Sequence, residues 1–417
     1  MEVFGLLLAF VKATWWFFTP LILFNIAKQS WLYSRHVRYY GSLEYTLLEI
    51  RLPPDVLKTP KAMEYVLVGM HGVWDELKWR DIWIKGEVLP WFSLEIAGSG
   101  GDIHFYIFTQ KKFKDFVESQ VYAQYPEAEI AEVEDYTDKV PPNLPNKSWD
   151  VWATDLALIK PNPYPLRSYV DFEEMVEERR LDPIASISEI LNKLHEGEHI
   201  WIQILIEPTF QIDELRKEGD KVIGKLMGRK VEEKKGYAHT VTGAFNSAAK
   251  QMLRISEEEK SEDPFASTEW RLTPGEREVL KKIDQKTAKV AFYTKIRFVY
   301  IGKKDVFNRA NVGALFGYFR QFNTYDTNAF KPESRTLKKR SFIHFKKLRA
   351  QFRMLRIVQW YKWRQTLPGG ISNYFILNVE ELATIFHLPG LIVKAPMMPR
   401  VESRKVAPPS SLPVEKM

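Results

Sequence analysis

The most pronounced pattern of hydrophobic and polar positions is an apolar run at the start of the chain. Residues 3–24 contain a single charged side chain, Lys12. As a helix, this run would be about 33 Å long, which is enough to cross a hydrocarbon core of about 30 Å. The pattern therefore predicts a transmembrane anchor with its juxtamembrane segment over residues 1–40. The anchor residues at its centre are Trp15, Trp16, Phe17, Phe18, Pro20 and Leu21.

Two other interpretations compete with the anchor. A cleaved signal peptide would have a basic segment ahead of a shorter apolar run. A buried core helix would show a polar face within about four turns, whereas this run shows little beyond Lys12 and Thr14. Basic residues follow the run at Lys28, Arg35 and Arg38. By the positive-inside rule, they predict a single-pass inner-membrane protein with its N-terminus outside and its body in the cytoplasm.

Beyond residue 40, the pattern alternates between short strands and amphipathic helices. Apolar and alternating segments predict strands over residues 43–52, 90–97, 103–109 and 128–136, with helices over residues 59–70 and 111–125. The resulting order, β-α-β-β-α-β, is that of the ferredoxin-like fold. We therefore predict a first ferredoxin-like module over residues 41–147, closed by a linker rich in Pro and Asn.

The same order of elements recurs over residues 148–330 and predicts a second ferredoxin-like module. This module carries a long, charged helical insertion over residues 212–289. Residues 331–370 follow as a basic aromatic arm, residues 371–392 as a closing strand and helix, and residues 393–417 as a Pro-rich linker tail. The predicted fold class is α+β, with a transmembrane helix, two ferredoxin-like modules and a basic helical arm.

Composition bounds the chemistry that the chain can carry out. The 417 residues include no cysteine, which excludes disulfides, thiolate metal sites and cysteine catalysis. Hydrophobic residues make up 45% of the chain and aromatic residues 14%, so sizeable cores can form and global disorder is not expected.

Positive charge is concentrated in the arm. The net charge of the chain is +7, and residues 331–364 contain 12 Lys and Arg against one acid, Glu333. Three interpretations stay open: contact with nucleic-acid phosphates, contact with anionic lipid or an acidic protein, and a solvated helix whose charges maintain solubility. Nothing in the arm is typical of base readout, so nucleic-acid binding would be non-specific. The candidate polyanion-binding residues are Lys338, Lys339, Arg340, Lys346, Lys347, Arg349, Arg353 and Arg356.

One motif has the letters of a zinc site. Residues 195–199 read HEGEH and match the H-E-x-x-H pattern of zinc peptidases. That pattern requires a continuous helix, whereas Gly197 and the β-like run from Ile200 predict a turn. The sequence contains neither a P-loop nor a G-x-S-x-G nucleophile motif. We therefore predict no metal, no cofactor and no enzymatic activity.

Five segments of the chain resemble one bacterial family. They are residues 15–24 (WWFFTPLILF), 117–126 (VESQVYAQYP), 200–206 (IWIQILI), 305–311 (DVFNRAN) and 381–389 (ELATIFHLP). The family is an uncharacterised membrane-anchored domain of candidate-phylum bacteria, found upstream of or fused to HerA/FtsK-like ATPases of the type IV secretion kind. The resemblance extends from residue 1 to about residue 413 and assigns no chemistry.

The resemblance implies a non-catalytic, membrane-anchored scaffold of a translocation machine like type IV secretion. Such a scaffold would position and oligomerise a HerA/FtsK-like ATPase at the cytoplasmic membrane face, so its implied partners are the lipid bilayer, the ATPase and further copies of the chain. The candidate ATPase contacts are Leu382, Ile385, Phe386, Leu388 and Pro389. The alternative is a membrane-tethered module that binds nucleic acid non-specifically through residues 331–364.

Overall fold

The computed structural model describes residues 2–53, 56, 58–172, 182–209, 212–227, 272–333, 336, 346–364 and 374–390. Within its helices, the side chains of residues 2–14, 17, 18, 21, 212, 346 and 347 lie outside the description. The strands are β1 (Tyr45–Arg51), β2 (Phe92–Ser99), β3 (Asp102–Gln110), β4 (Glu129–Val133), β5 (Trp149–Leu158), β6 (Glu198–Pro208), β7 (Ala291–Lys303), β8 (Phe330–Pro332) and β9 (Phe375–Asn378). The α-helices are α1 (Glu2–Ser42), α2 (Pro60–His71), α3 (Lys114–Gln124), α4 (Pro183–Asn192), α5 (Ile212–Leu226), α6 (Pro274–Thr287), α7 (Arg309–Arg320), α8 (Lys346–Lys362) and α9 (Val379–Ile385).

The nine strands join in one antiparallel sheet. Their order is β4-β1-β3-β2-β6-β7-β5-β8, and β9 pairs with β7. The β2–β3 hairpin turns at Gly100 and Gly101, whose φ angles of 58° and 102° lie in the region that favours glycine. Gly98 lies against Leu191 of α4, where a Cβ atom would come within 2.6 Å of the leucine side chain. This close approach brings α4 onto the centre of the sheet.

The prediction of two ferredoxin-like modules is wrong. β2 of the first predicted module and β6 of the second pair along eight register positions, from Phe92 with Ile206 to Ser99 with His199. Pairing satisfies the backbone N–H and C=O groups that each edge would otherwise leave open. The two predicted four-stranded units are therefore parts of one continuous nine-stranded sheet, and that sheet is not ferredoxin-like. The fold is α+β, with helices on both faces of the sheet.

The prediction of a membrane anchor is also wrong. In the part of the chain that the structure describes, no helix has both the length and the apolar character needed to span a bilayer. α1 continues to Ser42, and its second half packs on a π-helical turn at Asp81–Lys85, where Trp31 Nε1 donates to the Trp83 carbonyl at 3.2 Å. Lys28 lies 4.8 Å from the Trp83 ring. The single-pass inner-membrane localisation, which depended on the anchor, is overturned by the same finding.

Three of the six predicted anchor residues have described side chains, and all three are exposed. Trp15 and Trp16 are 59% and 64% exposed, and Pro20 is also exposed. The side chains of Phe17, Phe18 and Leu21 lie outside the described residues.

A large apolar core covers one face of the sheet. Alternation along β6 directs Ile200, Ile202 and Ile204 into this core, and all three are fully buried. The core is covered on the side away from the sheet by the apolar side chains of helices α2, α3, α4, α7 and α9. This face therefore contains the main hydrophobic stabilisation of the fold.

The predicted helical insertion is described only at its two ends. α5 and α6 pack against each other, and residues 228–271 between them lie outside the described residues, as does the predicted tail over residues 393–417. α6 is fixed to α9 by a buried ion pair, in which Lys286 Nζ lies 3.0 Å from a carboxylate oxygen of Glu381. Burial lowers the pKa of Lys286 and raises that of Glu381.

Candidate functional site

The basic helix α8 lies across the second face of the sheet. Its inner side consists of Met354, Ile357, Val358 and Tyr361, which are all buried in a second apolar cluster. Their spacing places them on one side of a helix and explains why this side faces the sheet. Arg349 and Arg356 lie on the opposite, exposed side of α8.

Basic and aromatic residues alternate along the outer side of α8. We call Arg349, Phe352, Arg356 and Trp363 the outer stripe, because the last three lie three, seven and fourteen residues after the first along one helical face. Trp363 is one residue past the end of α8 but continues its hydrogen-bonding pattern, since its N–H donates to the Gln359 carbonyl at 2.9 Å. Phe352 is 66% exposed and Trp363 is 70% exposed, while Arg349 and Arg356 are also exposed. The stripe spans roughly 21 Å at 1.5 Å per residue. Large exposed aromatic side chains beside arginines are suited to stacking and charge contacts with a partner.

The structure places only part of the predicted polyanion-binding set. Arg349 and Arg356 belong to the outer stripe, and Arg353 is half-buried with an interaction of its own. Lys346 and Lys347 begin α8, but their side chains lie outside the described residues. Lys338, Lys339 and Arg340 lie wholly outside them.

The predicted ATPase contacts are located in the interior of the protein. Leu382, Ile385, Phe386 and Leu388 are each at most 2% exposed and belong to the main core, and Pro389 is buried beside them. The Phe386 ring lies 6.0 Å from that of Phe105 on β3. Their apolar character is therefore explained by packing within this chain.

The HEGEH motif at residues 195–199 forms a turn followed by the start of β6. Gly197 has a φ of 87°, which a continuous helix does not allow. Glu198 is buried and accepts hydrogen bonds from the Tyr300 hydroxyl and the Asn311 amide, at 2.5 and 3.0 Å. Burial and two nearby lysines lower the pKa of His199 to about 4. Within the described ranges, no group of three His, Cys, Asp or Glu side chains could hold a metal ion.

A row of buried polar residues crosses the sheet beneath α8. Each member pairs in register with the next across six neighbouring strands, and each is at most 5% exposed. We call this the polar row, and it consists of Glu49 (β1), Tyr106 (β3), Glu95 (β2), Gln203 (β6), Arg297 (β7) and Asp155 (β5). Buried ionisable residues of this kind are rare unless they are paired, so the row is a candidate functional feature.

The polar row was not predicted from the sequence, although three of its members leave a signal there. Glu95 interrupts SLEIA, Gln203 interrupts IWIQILI and Arg297 interrupts KIRFVYI. A single polar residue within a continuous apolar strand must be buried with a partner or face a polar layer. That signal marks each strand separately, and the pairing register that aligns them is visible only in the structure.

Arg364 connects α8 to the middle of the polar row. Its Nε donates to Glu95 Oε1 at 2.8 Å, and its Nη1 donates to Asp135 Oδ2 at 2.5 Å. The guanidinium lies 4.1 Å from the Phe108 ring, and the side chain is 2% exposed. Arg364 adopts a φ of 47°, a left-handed conformation that is uncommon outside glycine. This turn directs the side chain beneath the helix.

Electrostatics favour the charged forms in this network. Burial alone would lower the pKa of Arg364, but the carboxylates of Glu95 and Asp135 raise it well above its usual range. Burial would likewise raise the pKa of Asp135, but the hydrogen bonds and charge of Arg364 hold it below its usual range. Glu95 also accepts hydrogen bonds from Ser93 Oγ at 2.6 Å, the Tyr136 hydroxyl at 2.8 Å and Gln203 Nε2 at 3.0 Å.

The arrangement is therefore suited to anchoring rather than to proton transfer. The carboxylate of Glu95 is occupied by four partners and has little capacity left to accept a proton from a substrate. Glu95 instead fixes the end of α8 by binding Arg364. Gln203 adds to this attachment, because its Nε2 also donates to the Tyr361 carbonyl at 3.1 Å. The inner network holds the helix in place, and the outer stripe is the part available for binding.

Comparison with known proteins gives a family but no activity. The chain matches a family described as a domain of unknown function, DUF8128, over residues 41–398. No match was found among curated proteins. Because the matched region covers well over half of the 417 residues, the chain belongs to the DUF8128 family.

Proposed function

We propose that this chain is a non-catalytic protein that binds nucleic acid non-specifically through the outer stripe of α8. The observation that carries the proposal is the exposure of Phe352 and Trp363 on the same helical face as Arg349 and Arg356. Arginine contacts phosphate at any sequence, and an aromatic ring stacks on any base. Unstacked bases are accessible in single strands, so a single strand is the preferred ligand.

The attachment of α8 to the sheet by buried hydrogen bonds supports this proposal. A helix held only by apolar contacts could rotate its exposed side away from a ligand, whereas Arg364 and Tyr361 attach the end of α8 to Glu95 and Gln203. Because these bonds fix the rotation of the helix, the outer stripe is already oriented before a ligand arrives. Preorganisation of this kind lowers the entropy cost of binding.

The test is titration of the full chain against a labelled oligothymidine of about 20 nucleotides, at salt concentrations from about 50 to 200 mM. Changing both Arg349 and Arg356 to Glu should weaken binding at least tenfold and reduce the salt slope by about 1.4, as expected for the loss of two phosphate contacts. Changing both Phe352 and Trp363 to Ala should weaken binding about tenfold or more while leaving the salt slope unchanged.

Matched controls come from other exposed positions. Lys193, at the C-terminal cap of α4, has a side chain that is 74% exposed, and Tyr65 is 54% exposed on α2. Lys193→Glu and Tyr65→Ala should leave the affinity within about twofold of the starting protein. Equal losses from the stripe variants and from these controls would mean that general surface charge, and not the stripe, carries the binding.

We propose a second role, as a scaffold that self-associates and positions a HerA/FtsK-like ATPase. The observation that favours it is on α1, where Ile22, Leu23, Phe24 and Ile26 are each between 56% and 68% exposed. Contiguous exposed apolar side chains are typical of surfaces that bind a partner, and a second copy of the same helix presents the same surface. The DUF8128 family description neither supports nor opposes this role.

The check on self-association is the mass of the full chain in solution, measured by light scattering. Ile22 and Ile26 are four residues apart and lie on one side of α1, so changing both to Glu should convert an oligomer into a monomer. Ile159→Glu, at a position that is 56% exposed on the body, should leave the mass unchanged. A full chain that is monomeric at all concentrations tested would remove this second role.

A further inference from the structure

The two ends of the polar row differ in how their charges are satisfied. At the end near β5, Asp155 and Arg297 pair in register, and both side chains are fully buried. Arg297 Nε lies 3.3 Å from Asp155 Oδ1, but the contact lacks hydrogen-bond geometry. Among the residues that the structure describes, none of the three guanidinium nitrogens of Arg297 and neither carboxylate oxygen of Asp155 has a hydrogen-bond partner.

Two neighbours extend this cluster. Lys295 is 3% exposed, and its Nζ lies 3.9 Å from Asp155 Oδ2, beyond hydrogen-bond distance. On the other side, Gln203 uses its amide nitrogen on Glu95 and on the Tyr361 carbonyl, while its Oε1 has no partner. Six buried polar atoms of Arg297, Asp155 and Gln203 therefore lack a hydrogen-bond partner among the described residues.

Arg297 and Asp155 lie close enough to form an ion pair, but their hydrogen-bonding atoms are unsatisfied. Buried charged groups without hydrogen bonds are costly, and native proteins rarely keep them without a role. At the middle of the polar row, Arg364 shows how the same kind of group is satisfied, with bonds to two carboxylates. Arg297 has the same burial without those bonds. The contrast indicates that the Arg297 end is arranged for a group that the described part of the chain does not supply.

The donors and acceptors of the cluster define the chemistry of that group. A guanidinium offers a planar pair of N–H donors that fits two oxygens of one oxyanion, and Lys295 adds a further cation. Asp155, which can only accept, fits a hydroxyl on the same ligand. Arg297 and Lys295 carry two positive charges against the one carboxylate of Asp155, and Glu333 also acts electrostatically on Lys295. Any excess of positive charge is therefore small, which fits a small ligand of low charge.

We propose that Arg297, Lys295, Asp155 and Gln203 form a buried site for a small oxyanion of the phosphate or carboxylate class. The site lies under the C-terminal end of α8, where the rings of Trp360 and Tyr374 lie 5.8 and 5.5 Å from Lys295 Nζ. These rings border the site on the helix side. The proposal is independent of nucleic-acid binding, which uses the opposite, outer side of α8.

The experiment measures binding of inorganic phosphate to the full chain by ³¹P NMR, at constant ionic strength with chloride as the balancing anion. A parallel arm uses ¹³C-labelled acetate. We expect saturable binding of phosphate, and weaker binding of acetate because acetate has no hydroxyl to donate to Asp155. Saturable binding of acetate alone would assign the site to carboxylates and would still support an oxyanion site.

The variants separate this site from the outer stripe. Arg297→Lys keeps the charge but loses the planar pair of donors, and it should weaken phosphate binding at least tenfold. Arg356→Gln removes an exposed arginine of the outer stripe and should leave phosphate binding unchanged while weakening oligothymidine binding. If Arg297→Lys does not fold, Asp155→Asn provides the second test, with an expected loss of the preference for phosphate over acetate.

Two results would overturn the proposal. One is a starting protein that binds neither phosphate nor acetate saturably, which would mean that water alone satisfies the cluster. The other is phosphate binding that Arg297→Lys and Asp155→Asn leave unchanged but that Arg356→Gln removes, which would place the anion on the surface of α8.

Discussion

Arg364 is the residue that we expect to contribute most to the stability of the network beneath α8. Its guanidinium bridges Glu95 and Asp135, two carboxylates from different parts of the second sheet face. Changing Arg364 to Met would leave Glu95, which is fully buried, and Asp135, whose side chain is 31% exposed, without their cation. A loss of about 3–5 kcal/mol in the free energy of unfolding is expected, since breaking a buried ion pair by removing one partner leaves an uncompensated charge.

The pH dependence of this loss distinguishes charge from packing. Arg364 holds the pKa of Asp135 below its usual range, so its stabilising effect is complete above the ordinary carboxyl pKa of about 4. It is lost as the pH falls through the lowered pKa, because a protonated carboxyl no longer needs the cation. Urea unfolding at a series of pH values measures this as a shrinking difference between the starting protein and Arg364→Met.

A matched control for Arg364 is Arg356→Met on the exposed side of the same helix. It should change the free energy of unfolding by less than about 0.5 kcal/mol at any of these pH values. A loss from Arg364→Met that stays constant with pH would point to packing against Phe108 in place of the charge network.

The number of basic residues in the arm does not distinguish the buried Arg364 from the exposed Arg356. The arm contains 12 Lys and Arg, and the sequence analysis treated their charge as one positive surface. Arg364 is part of that count but is 2% exposed and neutralised by carboxylates from distant parts of the chain. The identity of a buried partner depends on strand register, which no local pattern encodes.

At the scale of elements, the local patterns were informative where they depended on alternation or on turn residues. Strands predicted over residues 43–52, 90–97 and 103–109 correspond to β1, β2 and β3 in the structure. The glycines between β2 and β3 adopt the positive φ angles that a tight hairpin needs. These signals are local, so the sequence contains all that is required to place the elements.

Local pattern could not say which apolar face meets which surface. The helix α9 was predicted as an ATPase contact, yet Leu382 and Ile385 pack in the core of this chain. Its N-terminal cap explains part of the difference, since Asn378 and Glu381 form a capping box while Glu381 also pairs with the buried Lys286. An apolar helix face looks the same in sequence whether its partner is its own sheet or another protein.

At the scale of the whole molecule, the main finding is the antiparallel pairing of β2 with β6, which we call the seam. Residues more than 90 positions apart pair along it, as with Ser99 and His199. Strands on both sides of the seam were predicted from the sequence, but they were assigned to two modules. The reason is that the linker over residues 140–147 is typical of a domain boundary. Pairing between distant strand edges leaves no periodicity for sequence reasoning to detect.

A continuous sheet predicts that both halves unfold together. Leu48 on β1 is fully buried in a core that extends without interruption to Phe298 and Tyr300 on β7. Leu48→Ala should remove about 3 kcal/mol from the free energy of unfolding through lost burial and the cavity left behind. If the sheet is one cooperative unit, the free energy of unfolding falls by the same amount for every strand, because no strand can unfold without exposing the shared core.

Hydrogen exchange in increasing urea, read peptide by peptide by mass spectrometry, measures the loss at each strand. Peptides from β1 and from β7 should lose protection at the same shifted urea concentration in Leu48→Ala. Ile159→Ala, at a position that is 56% exposed, should shift neither. Two independent modules would respond differently, since a cavity beside β1 would lower the protection of the first half and leave β7 unchanged. Such a split would mean that the eight register pairs between β2 and β6 do not transmit stability across the seam.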